Sequence, residues 1–121
     1  TFLSDAVCFN AAKVAEEVGA KAIVGMTTSG YTAFKVSSYR PACKIYIFSE
    51  QTLMLATLNL VWGVHGYYYD KFTSTDETIN DSMTILKENG RVKEGDVIIN
   101  TASMPLHARL RTNMLKVSVV D

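Results

Sequence analysis

Small polar residues follow an apolar segment at one point in this chain: Thr27, Thr28, Ser29, Gly30 and Thr32. If a strand ends before them and a helix starts among them, they form an anion site. The first N–H groups of a helix lack an intrahelical acceptor and carry partial positive charge. Hydroxyls add donors, and glycine lets the backbone approach a phosphate group closely. Ordinary helix capping by Thr or Ser explains the same residues without a ligand, so both interpretations stay open.

The surrounding pattern predicts strands that alternate with helices. We expect helices at about 5–18, 30–39, 50–58 and 75–88, and strands at 21–26, 44–48, within 61–69, at 96–100 and at 115–120. Ser4 is the expected cap of the first helix, whose inner face would carry Val7, Ala11, Val14 and Val18. Strands joined by helices form βαβ units. The predicted fold is therefore an α/β three-layer sandwich with a mostly parallel sheet of about five strands, the last one (about 114–120) antiparallel at an edge.

Length and composition exclude several classes of protein. A chain of 121 residues forms one domain, residues 1–121, and 48% hydrophobic with 20% charged residues is typical of a globular protein. Twelve basic and twelve acidic residues cancel, so we expect no nucleic-acid partner. No apolar run approaches the roughly 18 residues of a membrane span. The chain starts with Thr1 rather than Met, which is typical of a domain cut from a longer protein.

Few residues of the sequence are arranged for catalysis. His65 and His107 are the two histidines, and neither lies in a metal-ligand pattern. Ser103 is not in the setting of a nucleophile elbow. Cys8 and Cys43 lie far apart, which favours two reduced thiols in a cytoplasmic protein. The residues alone therefore predict a ligand-binding or regulatory domain, with no metal and no cofactor of its own.

The chain resembles the C-terminal domain of pyruvate kinase along nearly its whole length. "TTSGYTAFKVSSYRP" is similar to the T-x-S-G-x-[ST]-A signature of that family with its later R-P. "SDAVCFNAAKVAEEVGAKAIV" and "LVWGVHGYYYDKF" resemble the segments before and after it. "VKEGDVIINTASMP" and "RTNMLKVSVV" resemble the closing elements of the domain.

This resemblance implies a regulatory role. In the family, a separate barrel domain transfers phosphate from phosphoenolpyruvate to ADP with Mg²⁺ and often K⁺, and that barrel is absent from these residues. The C-terminal domain binds an allosteric effector and contributes to a tetramer. The family's effector phosphate lies in the signature loop, which carries over to Thr27, Ser29, Gly30 and Thr32, with Thr28 through its backbone. The expected partners are a phosphorylated effector, the catalytic domain and further copies of the chain.

Departures from the family pattern bear on the identity of the effector. Members that bind fructose 1,6-bisphosphate use a glycine-rich loop, but here "ASMPLHARLRT" has Ser103 and no later glycine. Tyr31 replaces a residue that is frequently basic. We therefore expect a sugar or nucleotide monophosphate, or a bisphosphate that is held differently, and a vestigial site without an effector stays open as an alternative. His107, Arg109 and Arg111 are possible second contacts, although they are equally explained as solvated cations or as contacts to the catalytic domain.

Two further expectations concern assembly and an alternative function. An edge strand with Leu115, Val117 and Val119 on one side favours contact with a second copy, although cover by the domain's own helices explains it equally well. The alternative function is a stand-alone, flavodoxin-like enzyme acting on a phosphorylated small molecule. That enzyme would need a base beside Ser29, for which His107 is the candidate.

Overall fold

The computed structural model describes residues 2–27, 30–71, 74–103 and 112–121. In these ranges every predicted helix and strand is found close to its predicted position. The elements in chain order are α1 (Phe2–Val18), β1 (Ala22–Met26), α2 (Tyr31–Ser38), β2 (Lys44–Ser49), α3 (Thr52–Leu58), β3 (Val64–Tyr68), α4 (Thr75–Glu88), β4 (Val97–Ala102) and β5 (Met114–Val119). No helix in these ranges is long and apolar enough to cross a membrane.

The strands form one sheet in the order β3-β2-β1-β4-β5. β1 pairs in parallel with β2 and with β4, β2 pairs in parallel with β3, and β5 runs antiparallel to β4 at an edge. All five residues of β1 are buried, as expected for a central strand covered on both faces. The predicted fold class, including its antiparallel last strand, is confirmed.

Two hydrophobic clusters hold helices against the two faces of the sheet. On one face, Ala11 of α1, Val36 of α2 and Leu58 of α3 pack against isoleucines of β1, β2 and β4. On the other face, Leu86 of α4 packs against Val24 and other residues of the same strands. The sheet is therefore the middle of three layers.

The predicted inner face of α1 is wrong in part. Ser4 lies inside the helix rather than at its cap, and Val18 is exposed. Ala11 is buried as predicted, but the other buried positions are Ser4, Cys8 and Ala15 rather than the valines. Small side chains let a helix approach its neighbours closely, so the alanines of α1 pack inward rather than the larger valines.

The start of α4 confirms its predicted capping signal. Ser74 is the N-cap in an extended conformation, and its Oγ accepts a hydrogen bond from the Glu77 backbone N–H at 3.2 Å. Ile79 and Leu86 are buried as predicted, and Met83 is packed partly against the core. The cap therefore sets where α4 begins, and the apolar stripe sets which side faces the sheet.

Replacing the cap tests this local control of the fold. We expect Ser74→Ala to lower the free energy of unfolding by about 1 kcal/mol, because one backbone donor of α4 loses its acceptor. Urea denaturation followed by circular dichroism measures the change. Thr84→Ala is the control, since Thr84 lies exposed in the middle of α4. Equal stability of Ser74→Ala and the wild type would contradict the capping role.

Candidate functional site

The predicted anion loop lies where the direction of the sheet connections reverses. The chain leaves β1 for β2 on one side, whereas β4 pairs with the other side of β1. In open α/β sheets, ligands bind outside the carboxyl ends of the strands at such a switch point. Thr27 follows β1 and Ser103 follows β4, so both connections start at this point.

The turn between β1 and α2 is built around Gly30. Gly30 has φ 81° and ψ −6°, a left-handed conformation that favours glycine. Its N–H donates to Thr27 Oγ1 at 3.1 Å, which closes the turn. A Cβ on Gly30 would lie 2.9 Å from Met54 Sδ of α3, so neither the backbone angle nor the space suits a larger residue. Glycine has no side chain, so Gly30 itself cannot cap the first amides of α2.

Thr32 joins this turn to the far end of the β4–β5 connection. Its Oγ1 lies 2.5 Å from Thr112 Oγ1, and both residues are buried. Asn113 then donates its backbone N–H to Ala102 O at 3.0 Å, where β5 approaches β4. The tertiary structure therefore brings a second hydroxyl, 80 positions away along the chain, to the predicted loop.

Gly25 makes the close packing at this point possible. A Cβ on Gly25 would lie 2.9 Å from Ile47 Cδ1, 3.2 Å from Thr101 Oγ1 and 3.7 Å from Thr32 Cγ2. Thr101 in turn donates its hydroxyl to Val24 O at 3.3 Å. Thr32 and Thr101 thus lie directly over β1, and the missing side chain of Gly25 gives them that room.

The charges beside the turn are paired with each other. The Tyr31 hydroxyl donates to Asp5 Oδ1 of α1, and Lys35 Nζ lies 4.0 Å from Asp5 Oδ2. Tyr31 therefore faces α1 and brings no positive charge in place of the frequent basic residue. Burial, and then the nearby Asp5 charge, raises the pKa of the Cys8 thiol to about 11, so Cys8 is neutral at pH 7.

The structure brings only part of the predicted site together. Thr27, Gly30 and Thr32 lie at one turn. Thr28 and Ser29 lie outside the described residues, as do the predicted second contacts His107, Arg109 and Arg111. Sequence reasoning did not include Thr112, Thr101 or Asp5 in the site. One signal was available for Thr101, because polar residues at the carboxyl ends of neighbouring parallel strands meet at the same edge.

His65, a further candidate residue from the sequence, is surrounded by aromatic rings. His65 of β3 packs against the rings of Tyr46 and Tyr67, at 6.4 and 4.8 Å between centroids, and burial lowers its pKa. Within the described ranges, no group of three or more His, Cys, Asp or Glu residues could hold a metal ion. A groove of about 510 Å³ lies near the amino ends of β1 and β2, between α1 and the α2–β2 connection, and does not include the turn.

Comparisons with known proteins agree on one family. The family model "Pyruvate kinase, alpha/beta domain" matches residues 5–118. Pyruvate kinase from Lactobacillus delbrueckii subsp. bulgaricus is 33% identical over 98% of this chain and 20% of its own length. Pyruvate kinase from Clostridium acetobutylicum is 37% identical over 98% of this chain and 25% of its own length.

A solved structure confirms the fold. A crystal structure of a pyruvate kinase from Cryptosporidium parvum matches with a TM-score of 0.88 at 24% identity, over 98% of this chain and 23% of that one. The present chain thus spans a quarter or less of the length of these proteins. From the family match and the identities together, the chain belongs to the pyruvate kinase family and corresponds to its C-terminal α/β domain.

Proposed function

We propose that this chain is the regulatory domain of a glycolytic pyruvate kinase and binds a phosphorylated metabolite at residues 27–32. The parent enzyme would transfer phosphate from phosphoenolpyruvate to ADP in a catalytic domain outside these residues. This domain would bind the effector without converting it and would contribute to assembly of a homo-oligomer. A cytoplasmic location is part of the same proposal.

The arrangement of Thr27, Gly30 and Thr32 at the switch point is the observation that supports this proposal. The left-handed conformation of Gly30 sets the direction in which α2 starts. Gly30 makes no side-chain hydrogen bond to the first amides of this helix. Thr27 and Thr32 add hydroxyls to the same turn. A phosphate oxygen is the acceptor that such a group of N–H and O–H donors suits best.

The paired charges favour a ligand with one phosphate here. Lys35 lies close to the turn, and its Nζ is 4.0 Å from the Asp5 carboxylate. Binding would then depend on hydrogen bonds rather than on net charge. A hydroxyl can donate once and accept twice, so Thr32 can accept from Thr112 while donating to the phosphate. His107, Arg109 and Arg111 stay proposed contacts for a second anionic group.

The metal ions of the reaction belong to the catalytic domain in this proposal. The described residues offer no cluster of metal ligands. In the proposal, residues outside this chain would hold Mg²⁺ and K⁺, and Mg²⁺ would neutralise charge on the phosphate that is transferred. The alternative of a stand-alone enzyme depended on His107 as a base, and that residue lies outside the described ranges.

Titration calorimetry tests the phosphate site. We expect glucose 6-phosphate, ribose 5-phosphate or AMP to bind saturably, with inorganic phosphate as the reference ligand and fructose 1,6-bisphosphate as the two-phosphate comparison. Ser29→Ala with Thr32→Ala should weaken binding at least about 100-fold, since each hydrogen bond to a charged group contributes roughly 1.5–3 kcal/mol.

Two controls separate ligand binding from folding. Thr32→Ser keeps the hydroxyl and should bind like the wild type. Ser38→Ala with Thr57→Ala removes two exposed hydroxyls that bond only to carbonyls of their own helices, so affinity should not change. Unaltered affinity in a folded Ser29→Ala, Thr32→Ala variant would rule out the assigned site.

The exposed residues and the free edge of β5 support the proposed assembly. Leu115, Val117 and Val119 alternate along the strand and lie on the α1 side of the sheet. Leu115 is half-buried, whereas Val117 and Val119 are exposed. β5 ends the sheet, so its free edge can meet the same strand of a second copy across a two-fold axis.

Charged substitutions on β5 test this interface. We expect the chain to self-associate in sedimentation equilibrium. Val117→Lys with Val119→Lys should shift it to the monomer, because the four lysines at a two-fold contact would be buried or would repel each other. Asn80→Lys with Thr84→Lys adds the same charge on the exposed side of α4 and should leave association unchanged. A wild-type chain that stays monomeric at all concentrations would contradict this assignment.

A further inference from the structure

An arginine side chain lies on aromatic rings of strands β2 and β3. Arg91 donates its Nε–H to the Tyr67 hydroxyl at 3.1 Å, and its guanidinium carbon lies 5.9 Å from the centre of the Tyr46 ring. A cation over the face of an aromatic ring is attracted by the negative charge of that face. Arg91 belongs to the connection between α4 and β4, so these contacts hold β3, at an edge of the sheet, from the α4 side. We call the contacts of Arg91 with Tyr46 and Tyr67 the Arg91 clasp.

The end of α4 fixes the position of Arg91. Asn89 is the C-cap of the helix, and Gly90 follows with a φ of 72°, a left-handed conformation that commonly ends helices. The Arg91 backbone N–H then donates to Leu86 O at 2.9 Å, and the next residue, Val92, is buried. The backbone of Arg91 is therefore held in place, while its exposed side chain is free to stay on the tyrosines or to leave them.

His65 lies against the same two rings. Its ring centre is 6.4 Å from that of Tyr46 and 4.8 Å from that of Tyr67. His65 and Tyr67 are two residues apart on β3, so their side chains share the face of the sheet on which Tyr67 packs against the α4 cluster. The imidazole of His65 and the guanidinium of Arg91 therefore share one aromatic surrounding.

The groups around His65 favour its neutral form. Burial, and then the positive charge of Arg91, lowers the pKa of His65 from its usual 6.5. Tyr46 brings no negative charge, because burial raises the pKa of its hydroxyl, and burial likewise raises the pKa of the nearby Cys43 thiol. Lys44 is exposed, two residues before Tyr46 on β2. A proton on His65 thus places a second positive charge beside Arg91.

We propose that His65 and the Arg91 clasp form a pH-sensitive switch at the β3 edge of the sheet. While His65 is neutral, Arg91 stays on Tyr46 and Tyr67 and holds β3 from the α4 side. When His65 takes up a proton, the two positive charges repel each other and Arg91 moves into water. Acid then loosens this edge of the domain. The switch needs no ligand and does not depend on the proposed function.

The direction of the pH effect follows from the two states of His65. The unfolded chain takes up a proton at this residue more readily than the folded chain does, so acid favours the unfolded state. The contribution of His65 to the free energy of unfolding is fully present above pH 6.5, and it is lost as the pH falls through the lower pKa of the folded chain. Carboxylates take up protons mainly below about pH 5, so the effect precedes theirs.

An NMR titration of the 121-residue chain from about pH 8 to about pH 5 tests the switch. We expect the His65 ring to titrate below pH 6.5 and the Arg91 Nε–H signal to shift with the same midpoint. His65→Phe keeps an aromatic ring but takes up no proton, so its Arg91 signal should stay constant. Between pH 7 and about pH 5.5, the thermal midpoint of the wild type should fall by at least about 2 °C more than that of His65→Phe.

Two further variants separate the charge of Arg91 from other effects. Arg91→Gln should raise the pKa of His65 part of the way to 6.5, because burial remains when the charge is removed. Lys93→Gln removes one charge from an exposed position of the same connection and should leave the His65 titration unchanged.

Two outcomes would overturn the switch. One is a His65 ring that titrates at or above pH 6.5 in the wild type. The other is an Arg91 signal that does not follow the His65 titration, or that follows the pH in His65→Phe as it does in the wild type. The wild-type titration needs no variant, so it stays decisive if His65→Phe does not fold.

Discussion

The whole site depends on β1 being paired in parallel on both sides. Because β2 and β4 flank it, every residue of β1 is buried, and its carboxyl end lies between the turn into α2 and the start of the β4–β5 connection. The turn into α2 forms one wall of that opening, and the start and end of the β4–β5 connection form the other. The contact between Thr32 and Thr112 joins the two walls. A sheet without this reversal would place the same residues apart.

Packing and electrostatics act together at this opening. Gly25 leaves room for Thr32 and Thr101 above the strand, because a Cβ there would lie 3.2 Å from Thr101 Oγ1 and 3.7 Å from Thr32 Cγ2. Asp5 takes up both the Tyr31 hydroxyl and the Lys35 charge, which also ties α1 to α2. The donors of the turn are therefore neutral groups held in place by their neighbours. Hydrogen bonds of this kind are screened by salt far less than an exposed cluster of cations would be.

Helix α3 supports the turn from one side. Its Met54 packs against Gly30, where a Cβ would lie 2.9 Å from the Met54 Sδ. Leu53, on the outer side of the same short helix, is 86% exposed.

The order and type of the elements could be predicted from sequence because they follow local rules. The apolar runs at β1, β2 and β4 are long enough to mark central strands, and Ser74 with Glu77 marks the start of α4. The inner face of α1 was predicted less well. Its valines have the period of a helix face, but the close contact with the sheet required the smaller Cys8, Ala11 and Ala15. Packing against the neighbouring elements decides which residues of α1 face inward. The periodic pattern of one helix carries no information about those neighbours.

The sequence by itself determined the family, the three-layer fold and the hydroxyl-rich turn at Thr27, Gly30 and Thr32. Only the tertiary structure decided that Thr112 contacts that turn through Thr32, that Asp5 pairs with Lys35 beside it, and that Leu53 and Leu60 lie outside the core. The physical reason is sequence distance. Local propensities act over a few residues, whereas each of these facts depends on which strands are neighbours and on which side of the sheet a helix lies.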